Sequence, residues 1–139
     1  MEQEDYMKRQ IDQLGRVLGK ILSNLIGIRA QGQLSKAIEA ADQALETEIG
    51  LNIDSLILIP TNSFLAKLLD IRKFKDSNFE QLAEIMFIIA EEFNITNTEA
   101  GKMKKLYERS LVIYEILDKT SSTYSFDRHS KIEKIRKVL

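Results

Sequence analysis

The sequence predicts an all-α protein, a compact array of about six helices with no sheet. Three observations carry this. Apolar residues recur at steps of three and four along most of the chain. One proline and six glycines are all that interrupt 139 residues rich in Leu, Ile, Ala, Glu and Lys, which are helix formers. A single run, residues 51–61, reads as strand-like, and no second run exists to pair with it.

The first helix is expected over about Glu2–Ile28. Met7, Ile11, Leu14, Leu18, Ile21, Leu25 and Ile28 alternate in steps of four and three, a heptad-type seam. Val17, Leu22 and Ile26 widen that face. Glu2, Glu4 and Asp5 occupy the first turn, where the helix dipole favours anions. Small residues recur at Gly15, Gly19, Ser23 and Gly27. Each glycine costs roughly 1 kcal/mol relative to alanine in a helix. Gly15 and Gly19 lie on or beside the apolar arc, where they admit a close neighbouring backbone. Gly27 falls on the polar side and loosens the helix end. Ile11, Leu14, Gly15, Leu18, Gly19 and Leu22 are therefore the candidate surface for helix packing or self-association.

A second helix is expected over about Gln33–Ile49, with Leu34, Ala37, Ile38, Ala41, Ala44, Leu45 and Ile49 on one face and Gly50 as its stop. Within "LNIDSLILIPT" a short helix starts near Asp54 and is broken by Pro60. Another begins near Asn62 and carries Phe64, Leu65, Leu68 and Leu69 to about Ile71. Ser77 and Glu80 have capping-box spacing at the head of the next helix. Its "IMFIIA" is apolar all round, as suits a central helix. The next helix is expected to start near Thr96 or Thr98, with Thr96 and Glu99 repeating the capping spacing, and to run through Met103, Leu106, Tyr107, Leu111, Tyr114 and Leu117. "KTSSTYS" is a loop. The last helix, about Phe126–Val138, turns Ile132, Ile135 and Val138 inward.

Residues 32–45, "GQLSKAIEAADQAL", resemble the second-helix segment of a tetratricopeptide repeat: Gly32, Ala37, Ala44 and Leu45 fall at matching offsets. Ala41 stands where a larger residue is usual, and no copy follows at the 34-residue period. With the opening "EDYMKRQIDQLGRVLGKIL", the chain also resembles a small bacterial family of unknown function. The resemblance implies helical, repeat-like architecture and brings no activity, cofactor or site. The chain reads as one domain, 1–139: the long helix, then a helical-repeat-like remainder over 31–139.

Several chemistries are excluded by residue type. Cysteine is absent, which removes disulfides, thiolate metal sites and cysteine nucleophiles. His129 is the one histidine, so no histidine-built metal site is available. Its spacing to Glu133 makes a helical surface pair. Glu84, Glu91 and Glu92 read as a solvated face. "GRVLGK" has three residues between its glycines where a phosphate-binding loop needs four. Net charge is −1, so no overall field draws in nucleic acid. Arg128, Lys131, Lys134, Arg136 and Lys137, and Lys102, Lys104 and Lys105, form local basic clusters that read as solvation. Tyr107 and Tyr114 share an apolar helix face and read as core.

No cofactor and no catalytic residue is expected. No stretch is apolar enough to span a membrane, and the start is no secretory signal; a cytoplasmic location is the expectation. Asn94-Ile95-Thr96 matches a glycosylation sequon by chance in that setting. The leading expectation is a non-enzymatic scaffold binding a protein partner or forming a homo-oligomer, without specific nucleic-acid binding. The alternatives are a small-molecule or lipid pocket around Phe79, Met86, Phe87, Tyr107 and Tyr114, and peripheral membrane contact through the first helix.

Overall fold

The computed structural model describes the backbone of residues 2–29, 34–71 and 74–139, and the side chains of residues 13–28, 35–68 and 74–139. Among the described residues there are seven α-helices and no strand: α1 (Glu2–Arg29), α2 (Leu34–Ile49), α3 (Ile53–Leu58), α4 (Phe64–Ile71), α5 (Asp76–Thr96), α6 (Ala100–Thr120) and α7 (Phe126–Val138). A 3-10 turn, Thr61–Ser63, leads into α4. The side chains of Met7, Ile11, Leu34 and Leu69 lie outside the described residues, as does Gly32.

Helix α5 is the centre. Leu82, Ala83, Ile85, Met86, Phe87, Ile88, Ile89 and Ala90 are all buried, so every side of it meets protein, as its uninterrupted apolar run requires. It pairs most extensively with α6 and also carries α1. The α5–α6 contact is close enough for the Ser110 hydroxyl to donate to the Ala83 carbonyl at 3.0 Å. Helix α2 packs on α1, and α7 packs on α6.

The seam of α1 is spent inside the chain. Leu14, Leu18, Ile21 and Leu25 are buried, while Ile26 is exposed. The glycines beside the seam do not admit a neighbouring backbone, as the sequence suggested. They make room for two amide side chains of α5. A Cβ on Gly15 would stand 3.4 Å from Asn78 Nδ2, and one on Gly19 would stand 3.3 Å from Gln81 Nε2. Gln81 Nε2 donates to the Gly15 carbonyl at 3.1 Å, stitching α5 to α1. Around Gly27 a Cβ would meet nothing within 4 Å. Gly27→Ala is therefore expected to raise stability by about 1 kcal/mol, through helix propensity alone, as read by urea denaturation.

The ends of the helices follow local chemistry, with some departures. Gly50, at φ +76°, closes α2. Within the 51–61 run, Ile53–Leu58 is helical: α3 starts one residue before the expected Asp54, because the Asn52 side chain accepts the Ser55 N–H. Asp42 Oδ1 also accepts the Ile53 N–H at 2.6 Å. Neither expected capping box forms. Ser77 lies inside α5, whose start is closed by Asn78 Oδ1 accepting the Lys75 N–H at 3.1 Å. Thr96 ends α5, its hydroxyl donating back to the Glu92 carbonyl. Helix α6 begins later than expected, after a turn in which Asn97 and Glu99 are left-handed, at φ 54° and 49°.

Arg109 satisfies the carbonyl just before Pro60, where the helix has ended: its Nη2 donates to the Ile59 carbonyl at 2.8 Å. Burial lowers its pKa, opposed by the nearby Glu108 carboxylate.

Candidate functional site: an open groove and a charged seam

Two surface features stand out. The first is a groove of about 290 Å³ between α1 and α2. Val17, Lys20, Ile21 and Asn24 form one wall; Ala37, Ala40, Ala41 and Ala44 form the other. Four alanines on one helix face leave a smooth, shallow wall. Ala37 and Ala41 are buried while Ala40 stands exposed at the rim. Of these four, Ala37 and Ala44 stand at the offsets of the tetratricopeptide resemblance, Ala41 departs from it, and Ala40 takes no part in it.

The second is the seam where α7 lies against α5 and α6. Helix α7 starts where the Ser125 hydroxyl accepts the Arg128 N–H at 3.2 Å. That cap fixes the first turn and aims Arg128 inward. Its guanidinium is buried, with Nη2 donating to Glu80 Oε2 at 3.1 Å and Nη1 3.8 Å from Asp118 Oδ1. One turn on, Lys131 Nζ lies 3.6 Å from Glu84 and 2.8 Å from Asp127. It also stands 5.8 Å from the centroid of the Phe87 ring, within cation–π range. Arg136 pairs with Glu115 of α6 at 3.1 Å. Ile132 and Ile135 fill the space between these pairs.

The polar side of this seam is under-satisfied. Tyr114 Oη, Arg128 Nε and Arg128 Nη1 are buried with no hydrogen-bond partner among the described residues. Burial pushes the Tyr114 hydroxyl well above the usual phenol range, and the charges of Glu84, Asp127 and Glu80 push the same way. Desolvation likewise raises the Glu84 carboxyl, with Lys131 opposing it. Glu84 is thus not part of a solvated face, as its place in an acidic helix suggested; it is drawn in by α7.

Both shifts set the direction of pH effects. The Tyr114 phenol is held neutral in the fold, so stability is at its full value below the unfolded pKa of about 10 and falls as pH rises above it. Tyr114→Phe is expected to stabilise by about 1 kcal/mol at neutral pH, since it removes a buried unpaired hydroxyl, and to flatten the alkaline limb of a pH-stability curve. Glu84 has a raised carboxyl, so its contribution is fully present below the unfolded value and is lost as pH rises through the folded one. Relative to Glu84→Gln, the natural chain should gain stability between pH 7 and pH 4 in paired urea melts.

The residues singled out from sequence distribute differently. Leu14 and Leu18 are buried, Gly15, Gly19 and Leu22 are half-buried, and all lie within α1's intrachain packing; the Ile11 side chain lies outside the described residues. Phe79, Met86, Phe87, Tyr107 and Tyr114 are all buried core, with Phe87 and Tyr107 in edge contact at 5.8 Å. None of the five lines the α1–α2 groove or the smaller α6–α7 cleft. Three of the five basic residues in the tail, Arg128, Lys131 and Arg136, are held in ion pairs. His129 pairs with Glu133 at 3.4 Å on an exposed face, as expected. Among the described residues no cluster of three or more His, Asp or Glu could hold a metal ion, and no helix is long and apolar enough to cross a membrane.

The fold defines an all-helical bundle, and no more specific class follows from likeness. No family model, no curated protein and no solved structure matches the chain.

Proposed function

We propose that the chain is a non-enzymatic interaction module of helical-repeat type, acting in the cytoplasm, which holds a protein partner across the α1–α2 groove. The observation that carries this is the alanine wall of Ala37, Ala40, Ala41 and Ala44 facing Val17 and Ile21. Small side chains let a partner helix approach closely, and stacked helix pairs leave concave surfaces on which a protein can bind. The lining sets the partner's chemistry: modest apolar side chains against the alanines and a carboxylate against Lys20. The pairing of Arg128, Lys131, Arg136 and Lys102 with carboxylates of the same chain supports a protein partner over nucleic acid.

The test is affinity capture from the native cell with the intact chain and with Ala40→Arg, which fills the groove at an exposed position. A protein retained by the natural chain and lost on Ala40→Arg is the expected result. Identical captures on both, or none, would overturn the reading.

A further inference from the structure

We propose that the acidic and apolar strip formed by α5 and α6 is a docking site for a basic amphipathic helix, which the chain's own α7 occupies in cis and vacates. The strip presents Glu80 and Glu84 from α5 and Glu115 and Asp118 from α6. Its occupant answers with Arg128, Lys131, Ile132, Ile135 and Arg136. Arg128, Lys131, Ile132 and Ile135 stand at i, i+3, i+4 and i+7, the anchor spacing of a helix lying in a groove. The structure therefore displays the ligand chemistry directly: two or three cations and two β-branched aliphatics on one helical face.

The cis fit is incomplete, which makes the occupant exchangeable. Helix α7 buries Ile132 and Ile135 as its two apolar anchors beside Arg128, and its first residue, Phe126, is 82 % exposed. Arg128 reaches Asp118 only at 3.8 Å, beyond hydrogen-bond range. Arg128 Nε and Nη1 and Tyr114 Oη are left without partners among the described residues. A helix attached through few apolar anchors and unsatisfied donors opens before the core does. The 121–125 segment that joins it to α6 contains Ser121, Ser122, Thr123, Tyr124 and Ser125, a polar stretch suited to act as a hinge. This surface is separate from the α1–α2 groove, so each proposal stands or falls alone.

Hydrogen exchange on the intact chain gives the first reading. Amides of residues 131–138 are expected to exchange at least ~100-fold faster than those of residues 82–90, by local opening. A common rate for both sets would overturn the proposal. The second reading uses a fluorescent synthetic peptide of residues 124–139 added to the intact chain. It is expected to bind an Arg128→Gln chain, whose own α7 is loosened, at least ~10-fold more tightly than the natural chain. Adding Glu80→Gln should remove most of that gain. No binding by a folded Arg128→Gln chain, or binding indifferent to Glu80→Gln, would overturn it. Should Arg128→Gln fail to fold, the exchange rates of the natural chain decide.

Discussion

Glu80→Ala is expected to destabilise the protein by about 3 kcal/mol, more than removal of its cationic partner. The asymmetry follows from where the two charges lie. Arg128 is buried, and among the described residues Glu80 is the one carboxylate within hydrogen-bond reach of its guanidinium, at 3.1 Å. Deleting the carboxylate leaves a buried cation that faces, among those residues, only Asp118 at 3.8 Å. Breaking a buried pair from one side typically costs about 3–5 kcal/mol; the half-exposed setting of Glu80 places the effect at the low end. Arg128→Met removes the charge and keeps the aliphatic bulk, and should cost about 1 kcal/mol, because Glu80 can turn to solvent. The double variant should resemble Arg128→Met alone, giving a coupling energy of about 3 kcal/mol in a double-mutant cycle. The loss on Glu80→Ala cannot exceed the free energy of α7 release, since a released α7 no longer presents Arg128 to the core. Equilibrium urea denaturation measures the totals, and exchange at residues 131–138 shows whether they fall on α7. Equal losses for Glu80→Ala and Arg128→Met would mean that the guanidinium is not desolvated.

Much of the fold is legible in residue spacing, because burial of an apolar stripe is a local pattern with a global consequence. The Leu14, Leu18, Ile21, Leu25 seam and the unbroken "IMFIIA" run locate α1 and the central helix without reference to anything distant. Within the 51–61 run, Ile53–Leu58 is settled as helix by Asn52, whose cap on Ser55 is a short-range feature, and by Pro60 behind it. The seam under α7 is not legible in this way. Arg128 sits in a basic, polar segment, and the carboxylate that buries it lies 48 residues earlier on another helix. Glu84 looks like any acidic residue of an amphipathic face until α7 is laid over it. The readable signal is weaker: Arg128, Lys131, Ile132 and Ile135 share one helical face, so the cations accompany the apolar anchors inward. The failed capping box at the head of α5 has the same cause. Glu80 is recruited by Arg128 across the seam, while Asn78 does the local work at the start of α5. Gly15 and Gly19 are legible as small, but not as an opening for amides, since Asn78 and Gln81 are remote in sequence.

Leu18→Ala is expected to lower stability by about 3 kcal/mol and the melting temperature by roughly 10 °C, and its concentration dependence decides what α1 is for. Leu18 has no exposed surface within a single chain. It lies one residue before Gly19, beside the point where Gln81 holds α5 to α1. Truncating it leaves a void that neighbours on rigid helices fill only partly. If the seam is purely internal, the loss is the same at every protein concentration, and light scattering is unchanged. A seam shared between chains behaves otherwise, because association then adds to stability by mass action. The melting temperature of the natural chain would rise with concentration, and Leu18→Ala would abolish the rise. Ile26→Ser is the control. Ile26 belongs to the same helix but is exposed, so it should leave the stability of a lone chain within about 0.5 kcal/mol. A large effect of Ile26→Ser beside a small one of Leu18→Ala would invert the burial pattern of α1 and place its functional face opposite α5. The reverse result keeps α1 as scaffold, with Val17 and Lys20 as the residues it offers outward to the groove.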